Sequence, residues 1–365
     1  MADTICAVDA ATLERYLKSL LGKDLTVLSV TALDKRAETA VKGFGYGTPL
    51  RIEYELAGGA MRAAVLHTMS PGPFGHEHMA DRGRILVWSH QAFNRLPQHV
   101  RSLDVGGFER DGSIVSLGNI EEFCLLTEYA EGGAYASDLE RLRDVGRLGD
   151  LDLARADALC DYLVAIHRVR VDNPELYVRR SRELVGDGEC IMGLADSYPD
   201  HPLFTPQILE RIEHCAVEWR WRLKKYAHRL RPVHGDFHPW NILFGEGTAF
   251  RLLDRSRGEY GDPADDVTCL TSNYLFFSLQ RSGRLEGVLE TLFRRFWSRY
   301  LEKTGDQEIL AVAAPFFAFR GLVMASPVWY PRLGDEIRHK LLRFILSVFE
   351  SERFDPALAN QYCGG

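Results

Sequence analysis

One segment in the second half of the chain places carboxylate, amide and imidazole side chains between short apolar runs. Residues 233–244 read VHGDFHPWNILF, and a further apolar run, FRLL, ends at Asp254. A buried charge without a partner is costly, so polar groups beside buried strands are expected to interact with one another. A chain with this segment must therefore fold so that these polar groups share one site.

Phosphoryl transfer from a nucleotide accounts for the residue types in this segment. A hydroxyl nucleophile needs a carboxylate that orients it and accepts its proton, and a triphosphate needs Mg²⁺ bound by hard oxygen ligands. Asp236 fits the first role, and Asn241 with Asp254 fits the second. Asn241 follows Asp236 at the spacing of the Asp-x-x-x-x-Asn pattern in protein-kinase catalytic loops. A hairpin return would bring Asp254 back to Asn241.

The sequence resembles the aminoglycoside phosphotransferase and choline kinase-like family in two blocks. The family's His-Gly-Asp-x-His-x-x-Asn motif is complete at 234–241, and its Gly-Asp-Pro-x-x-Asp block is matched at 261–266. The resemblance implies an α+β, two-lobed protein-kinase-like fold. Residues 1–126 would form a small β-rich lobe that binds nucleotide, and residues 134–365 a larger, mainly helical lobe for catalysis and substrate binding. Residues 127–133 would be the hinge that joins them.

The same resemblance implies a role for individual residues. Asp236 would be the catalytic base, and Asn241 and Asp254 would bind Mg²⁺ and, through it, the nucleotide. The cofactors implied are ATP or GTP and Mg²⁺, and the acceptor is the hydroxyl of a small molecule. Two further groups have implied roles: the 127–131 backbone as the adenine contact (Thr127, Glu128, Tyr129), and the supports of the catalytic loop (His234, Asp262, Asp266).

The N-terminal lobe departs from the family pattern. The phosphate-binding lysine of the third strand is replaced by His67 in Val65-Leu66-His67. A glycine-dense connection at 43–47 precedes the hairpin that contains this strand, but it lacks a lysine to anchor phosphates. Arg255 stands where an apolar or aromatic residue is more common. We therefore expect His67 to be the nucleotide-phosphate contact in place of the lysine.

Periodicity predicts the order of the elements. A first helix is expected at 11–22, strands at 25–33, 50–56 and 61–69, and a helix at 76–95. The apolar run 123–129 predicts a short buried strand. From about residue 137 the pattern is mainly helical, with helices expected at 206–230, 308–325 and 335–351.

Composition excludes several classes of function. The chain has 44 Lys and Arg against 51 Asp and Glu, a net charge of −7 with a pI near 6.0, which is not the basic footprint of a nucleic-acid binder. Its seven cysteines are scattered without a Cys-x-x-Cys pair, so neither a disulfide framework nor a structural zinc site is indicated. No signal peptide and no apolar stretch of ~18 residues is evident. We expect a cytoplasmic protein without a membrane or nucleic-acid partner.

Two other interpretations remain open from the residues alone. His234, Asp236 and His238 alternate, so on a strand they would share one face and could bind a transition metal in a metal-dependent hydrolase. Alternatively, the missing lysine would suit a kinase-like protein that binds nucleotide without catalysis.

Overall fold

The computed structural model describes residues 8–33, 47–72 and 75–364. The chain divides into two compact units, Met1–Thr127 and Glu128–Gly365. The described part of the first unit combines small antiparallel sheets with two helices, and helices dominate the second unit, so the predicted α+β class is confirmed. The predicted glycine connection at 43–47 lies outside the described residues except for Gly47.

The elements of the described residues follow in chain order. The strands are Leu25–Ala32 (β1), Leu50–Leu56 (β2), Met61–Leu66 (β3), Gly106–Phe108 (β4), Ile114–Ser116 (β5), Gly133–Ala134 (β6), Arg231–Pro232 (β7), Ile242–Phe244 (β8), Phe250–Leu252 (β9) and Tyr260–Gly261 (β10). The helices are Ala10–Leu21 (α1), Met79–Phe93 (α2), Tyr135–Val145 (α3), Asp150–His167 (α4), Pro174–Gly186 (α5), Ile191–Ser197 (α6), Pro206–Leu223 (α7), Pro263–Ser282 (α8), Gly287–Thr304 (α9), Ile309–Ala325 (α10), Asp335–Glu350 (α11) and Ala359–Tyr362 (α12). Among these helices, none combines the length and the apolar character that crossing a membrane requires.

The first unit contains the hairpin that the sequence predicts. Strands β1, β2 and β3 form an antiparallel sheet in that order, with Ile52 opposite Ala64. Ile52 and Tyr54 alternate with polar residues along β2, so one face of the sheet is apolar. Helix α1 covers that face through Leu13 and Leu17, and this cluster is the core of the unit.

The second unit has a large helical core in which α8 and α10 are almost completely buried. Helix α10 contains a single charged residue, Arg320, among 17 residues. Strands β8 and β9 form a hairpin, and β6 pairs with β8. Helix α7 ends at Leu223, earlier than the helix predicted at 206–230, and a 3₁₀ segment continues it over Lys224–Arg229.

The predicted strand at 123–129 is wrong. The structure gives this segment no regular secondary structure, and Leu125, Leu126 and Tyr129 are 89%, 95% and 91% exposed. An apolar run becomes a strand only when a neighbouring edge provides partners for its backbone groups. No such pairing reaches this segment in the described residues.

Candidate active site

The polar segment forms a tight loop between β7 and β8. Gly235 has a φ of +82°, and a side chain there would bring its Cβ within 3.2 Å of the Cβ of Arg257. Glycine fits both conditions, because it alone adopts such a φ without cost and has no Cβ. His238 then caps the 3₁₀ turn Pro239–Asn241 by accepting a hydrogen bond from the Trp240 backbone N–H (3.2 Å).

Asp266 on α8 supports the start of this loop. Its carboxylate accepts hydrogen bonds from the backbone N–H groups of His234 and Gly235, both at 2.8 Å, and lies 3.2 Å from His167 Nε2. The Asp266 side chain is fully buried. Burial raises its pKa, but His167 and the two N–H groups outweigh burial and hold the pKa below its usual value. An ionised carboxylate that is shielded from water therefore fixes the start of the loop.

Asp262 is the N-cap residue of α8, and its contacts lie outside the loop at 234–241. It accepts hydrogen bonds from Arg229 Nε (2.9 Å), Arg229 Nη2 (3.0 Å) and the Tyr177 hydroxyl (2.7 Å). It also accepts from the Ala264 backbone N–H at 2.9 Å. Both carboxylate oxygens of Asp262 accept structural hydrogen bonds, so Asp262 is not a candidate for the catalytic base.

Asp236 is buried and lies beside two arginines and a histidine. Arg320 Nη1 lies 2.5 Å from its Oδ1, Arg257 Nε lies 3.7 Å from the same oxygen, and His238 Nε2 lies 3.4 Å from Oδ2. Burial raises the pKa of Asp236, but His238, Arg320 and Arg257 together hold it well below its usual value. Asp236 is thus a permanently ionised carboxylate at neutral pH.

Asn241 lies beside Asp236 and is oriented by it. Its Nδ2 donates to the Asp236 backbone carbonyl at 3.1 Å, with Asp236 Oδ2 at 3.4 Å. This fixes the amide so that the nitrogen faces the loop and the oxygen faces away from it.

The β8–β9 hairpin brings Leu253, the residue before Asp254, back to Asn241. The Leu253 N–H donates to the Asn241 carbonyl at 2.9 Å, as the predicted hairpin return requires. Asp254 has a left-handed φ of +53°, and its side chain is exposed. An oriented amide oxygen and an exposed carboxylate are hard oxygen donors of the kind that Mg²⁺ prefers, so these residues fit that ion.

The remaining predicted site residues lie elsewhere in the chain. His67 follows the last residue of β3 in the first unit and is exposed. Thr127 ends the first unit, while Glu128 and Tyr129 begin the second, and all three side chains are exposed. Their roles in binding nucleotide stay predictions.

Sequence reasoning missed Arg320, which joins α10 to the loop. Besides Asp236, it donates to the Gly235 carbonyl (2.9 Å) and to Asp265 Oδ1 (2.8 Å). A signal was present, because a lone charged residue in an apolar helix requires a buried partner. Arg255, which departs from the family pattern, has a structural role: it donates to the Val233 carbonyl at 2.9 Å and to the Glu259 carbonyl at 2.8 Å.

The alternating residues His234, Asp236 and His238 do not assemble as a metal site. His234 Nδ1 accepts a hydrogen bond from the Asp236 backbone N–H (3.3 Å), whereas His238 faces the Asp236 carboxylate. In the part of the chain that the structure describes, no three His, Cys, Asp or Glu side chains converge to bind a metal. The geometry therefore gives no support to the hydrolase interpretation.

Comparison with known families identifies the segment that contains this loop. Residues 117–302 match the family described as the phosphotransferase enzyme family. This range is about half of the chain and includes both sequence blocks. No curated protein matches the sequence.

The solved structures that match this chain are distant in sequence. An amicoumacin kinase in complex with AMP-PNP, Ca²⁺ and Ami is 15% identical, with 90% of this chain and 91% of that chain covered and a TM-score of 0.40. A choline kinase from Streptococcus pneumoniae is 13% identical over 93% and 98% of the two chains, with a TM-score of 0.33. A glucosamine kinase is 18% identical over 63% of this chain and 56% of its own length, with a TM-score of 0.33.

Proposed function

The chain belongs to the phosphotransferase enzyme family, and we propose that it transfers the γ-phosphate of ATP or GTP to a hydroxyl of a small molecule. The observation that carries this proposal is the geometry of the loop at 234–241. It combines an ionised, buried carboxylate at Asp236 with an oriented amide at Asn241. Phosphoryl transfer needs both groups in one place, because it depends mainly on positioning and on neutralising charge.

Asp236 would orient the acceptor hydroxyl and accept its proton as the phosphate bond forms. Its low pKa makes it a weak base, which suits a loose transition state in which the proton leaves late. Its main contribution would then be to hold the hydroxyl oxygen in line with the phosphorus atom. The contacts from Arg320 and from the loop keep the carboxylate in one orientation.

Asn241 and Asp254 would bind Mg²⁺. Mg²⁺ held by these two residues would supply positive charge against the phosphates of the nucleotide. The hydrogen bond from Asn241 Nδ2 to the Asp236 carbonyl links the amide ligand to the residue that orients the acceptor. Thr127, Glu128 and Tyr129 would provide backbone contacts for adenine, and His67 would contact phosphate.

We place this activity in the cytoplasm. This proposal is supported by the cysteines of the described residues, all of which are free thiols: Cys124, Cys160, Cys190, Cys215, Cys269 and Cys363. Reduced thiols are typical of a reducing compartment.

A transfer assay tests the proposed function. Purified protein would be incubated with ATP or GTP and Mg²⁺ against a panel of small alcohols with neutral, cationic and anionic substituents. We expect nucleotide diphosphate and a phosphate ester to form together, as followed by ³¹P NMR, with no transfer after chelation. Nucleotide binding without transfer to any alcohol would favour the kinase-like binding protein instead.

A further inference from the structure

The second unit contains a cavity of about 380 Å³. Its walls come from α5, from the segment between α5 and α6, from the segment after Asp254, from the start of α8 and from α10. Two lining residues connect it to Asp236: Arg257 lies 3.7 Å from Asp236, and Asp265 accepts a hydrogen bond from Arg320, which pairs with Asp236. A small molecule in this cavity would therefore contact a residue that itself faces Asp236.

Arg257 lacks close partners in this cavity. Its contacts are the Glu189 carbonyl at 3.4 Å, the Glu189 carboxylate at 3.6 Å, the Cys190 sulfur at 3.8 Å and Asp236 at 3.7 Å. Charge-assisted hydrogen bonds are normally 2.7–2.9 Å long. Its Nε is buried without a hydrogen-bond partner. By contrast, Arg320 and Arg229 each make several bonds of 2.5–3.0 Å to carboxylates.

Arg257 is nevertheless held in place. Its guanidinium lies 5.1 Å from the centre of the Phe319 ring, which also packs against Arg320. Arg180 donates to the Arg257 backbone carbonyl. The side chain is only 20% exposed. A fixed, largely buried guanidinium with unused donors is suited to bind an oxyanion.

The carboxylates of the cavity do not satisfy Arg257. Glu183 is paired with Arg179 and Arg180, Asp262 with Arg229, and Asp265 with Arg320. The other two lining carboxylates, Asp187 and Glu189, are exposed. The group without a close counter-charge inside the cavity is thus the Arg257 guanidinium.

We propose that Arg257 binds a carboxylate or phosphate group of the acceptor, so that the acceptor is an alcohol that carries an oxyanion. This inference rests on the proposed function, because it names the acceptor class for the same site. The transferring phosphate of the nucleotide has the same oxyanion chemistry. The acceptor is favoured because Arg257 lines a cavity walled by α5 and α10, with apolar surface from Leu184, Phe316 and Phe319 for a carbon skeleton.

The test uses alcohols in matched pairs. Glycerate and glycerol 3-phosphate would be compared with glycerol, and 3-hydroxybutyrate with 1,3-butanediol. We expect at least about 10-fold higher kcat/KM for the anionic member of each pair. Arg257→Gln should raise the KM of the anionic acceptor about 10- to 100-fold, because a charged hydrogen bond is lost, with the nucleotide KM unchanged. Arg257→Lys should fall between Gln and wild type.

Arg294→Gln is the control for the loss of one positive charge, since Arg294 is exposed on α9 and should leave all constants unchanged. No preference for the anionic alcohols would overturn the proposal. A rise in the nucleotide KM with an unchanged acceptor KM would also overturn it, because Arg257 would then contact the nucleotide.

A binding measurement separates this inference from the proposed function. Calorimetric titration of glycerate and of glycerol 3-phosphate needs no turnover. Binding of either anion by wild type and its weakening in Arg257→Gln would support the anion site even if no alcohol accepted phosphate. If both anions bound equally well to the two proteins, or bound to neither, the proposed anion site would be overturned. Transfer of phosphate to neutral or cationic alcohols would in that case leave the proposed function intact.

Discussion

Arg320 Nη1 lies 2.5 Å from Asp236 Oδ1, in an ion pair that joins residues 84 positions apart and is buried on both sides. The same guanidinium donates to the Gly235 carbonyl and to Asp265. The Arg320 side chain therefore stabilises the ionised form of Asp236 and also holds the backbone of the candidate catalytic loop.

Breaking this pair should destabilise the second unit strongly. Arg320→Met leaves Asp236 and Asp265 buried without their main counter-charge, a change that typically costs about 3–5 kcal/mol. Urea unfolding would measure the loss. The control is Arg294→Met, which removes an exposed pair with Glu290 and should cost under about 0.5 kcal/mol. An Arg320→Met protein as stable as the control would contradict this role.

Asp266 should make stability depend on pH in acid. Its pKa is lowered in the folded protein, so its contribution is complete above the unfolded pKa of about 3.9 and is lost as pH falls below that value. Asp266→Asn should cost about 1–3 kcal/mol at neutral pH, because the amide cannot accept from both N–H groups. The free energy of unfolding, measured from pH 7 to pH 3, should fall less steeply in this variant than in wild type.

Glu302→Gln provides the comparison for that series, since Glu302 is exposed on α9. It should keep the wild-type stability at neutral pH. Identical acid slopes in wild type and Asp266→Asn would mean that other carboxylates govern the acid transition.

Asn241 and Asp254 should control the metal dependence of nucleotide binding. Asp254→Asn keeps a residue that tolerates the left-handed backbone but removes the charge, and Asn241→Ala removes the amide oxygen. Each should raise the Mg²⁺ concentration needed for half-maximal nucleotide binding by about 10-fold or more. Asn241→Asp, which keeps an oxygen ligand, should be affected less than Asn241→Ala. A metal requirement unchanged in all three variants would exclude these residues as ligands.

His67 should contribute to nucleotide affinity through contact with phosphate. His67→Ala should weaken nucleotide binding because it removes a hydrogen-bond donor, and His67→Lys should tighten it because a lysine ammonium is a permanent positive charge at neutral pH. Isothermal titration of wild type and both variants would measure the change. The same affinity in all three proteins would show that another group contacts the phosphates.

The sequence predicted the local parts of this structure well. The β2–β3 hairpin follows from alternating residues and a glycine turn, and the β8–β9 return that places Leu253 on Asn241 follows from two apolar runs. These elements depend on neighbours in the chain, which a sequence displays directly.

Long-range contacts were harder to predict. The apolar run at 123–129 has the composition of a strand but pairs with no strand of the described residues, and composition cannot reveal a missing partner. The sequence shows Arg320 only as an isolated charge in α10, and it does not indicate which carboxylate pairs with it. No sequence pattern singles out Arg257, because its proposed role depends on the absence of close hydrogen bonds to its guanidinium, which only the structure shows.

Asp236→Asn tests the central claim, that Asp236 orients the acceptor hydroxyl for phosphoryl transfer. The amide keeps the size of the side chain and an oxygen for Arg320, but it cannot accept the proton. With an acceptor identified in the alcohol panel, kcat should fall about 10²–10⁴-fold, while nucleotide binding by calorimetry stays close to wild type. Full turnover by Asp236→Asn with the same acceptor would contradict the account.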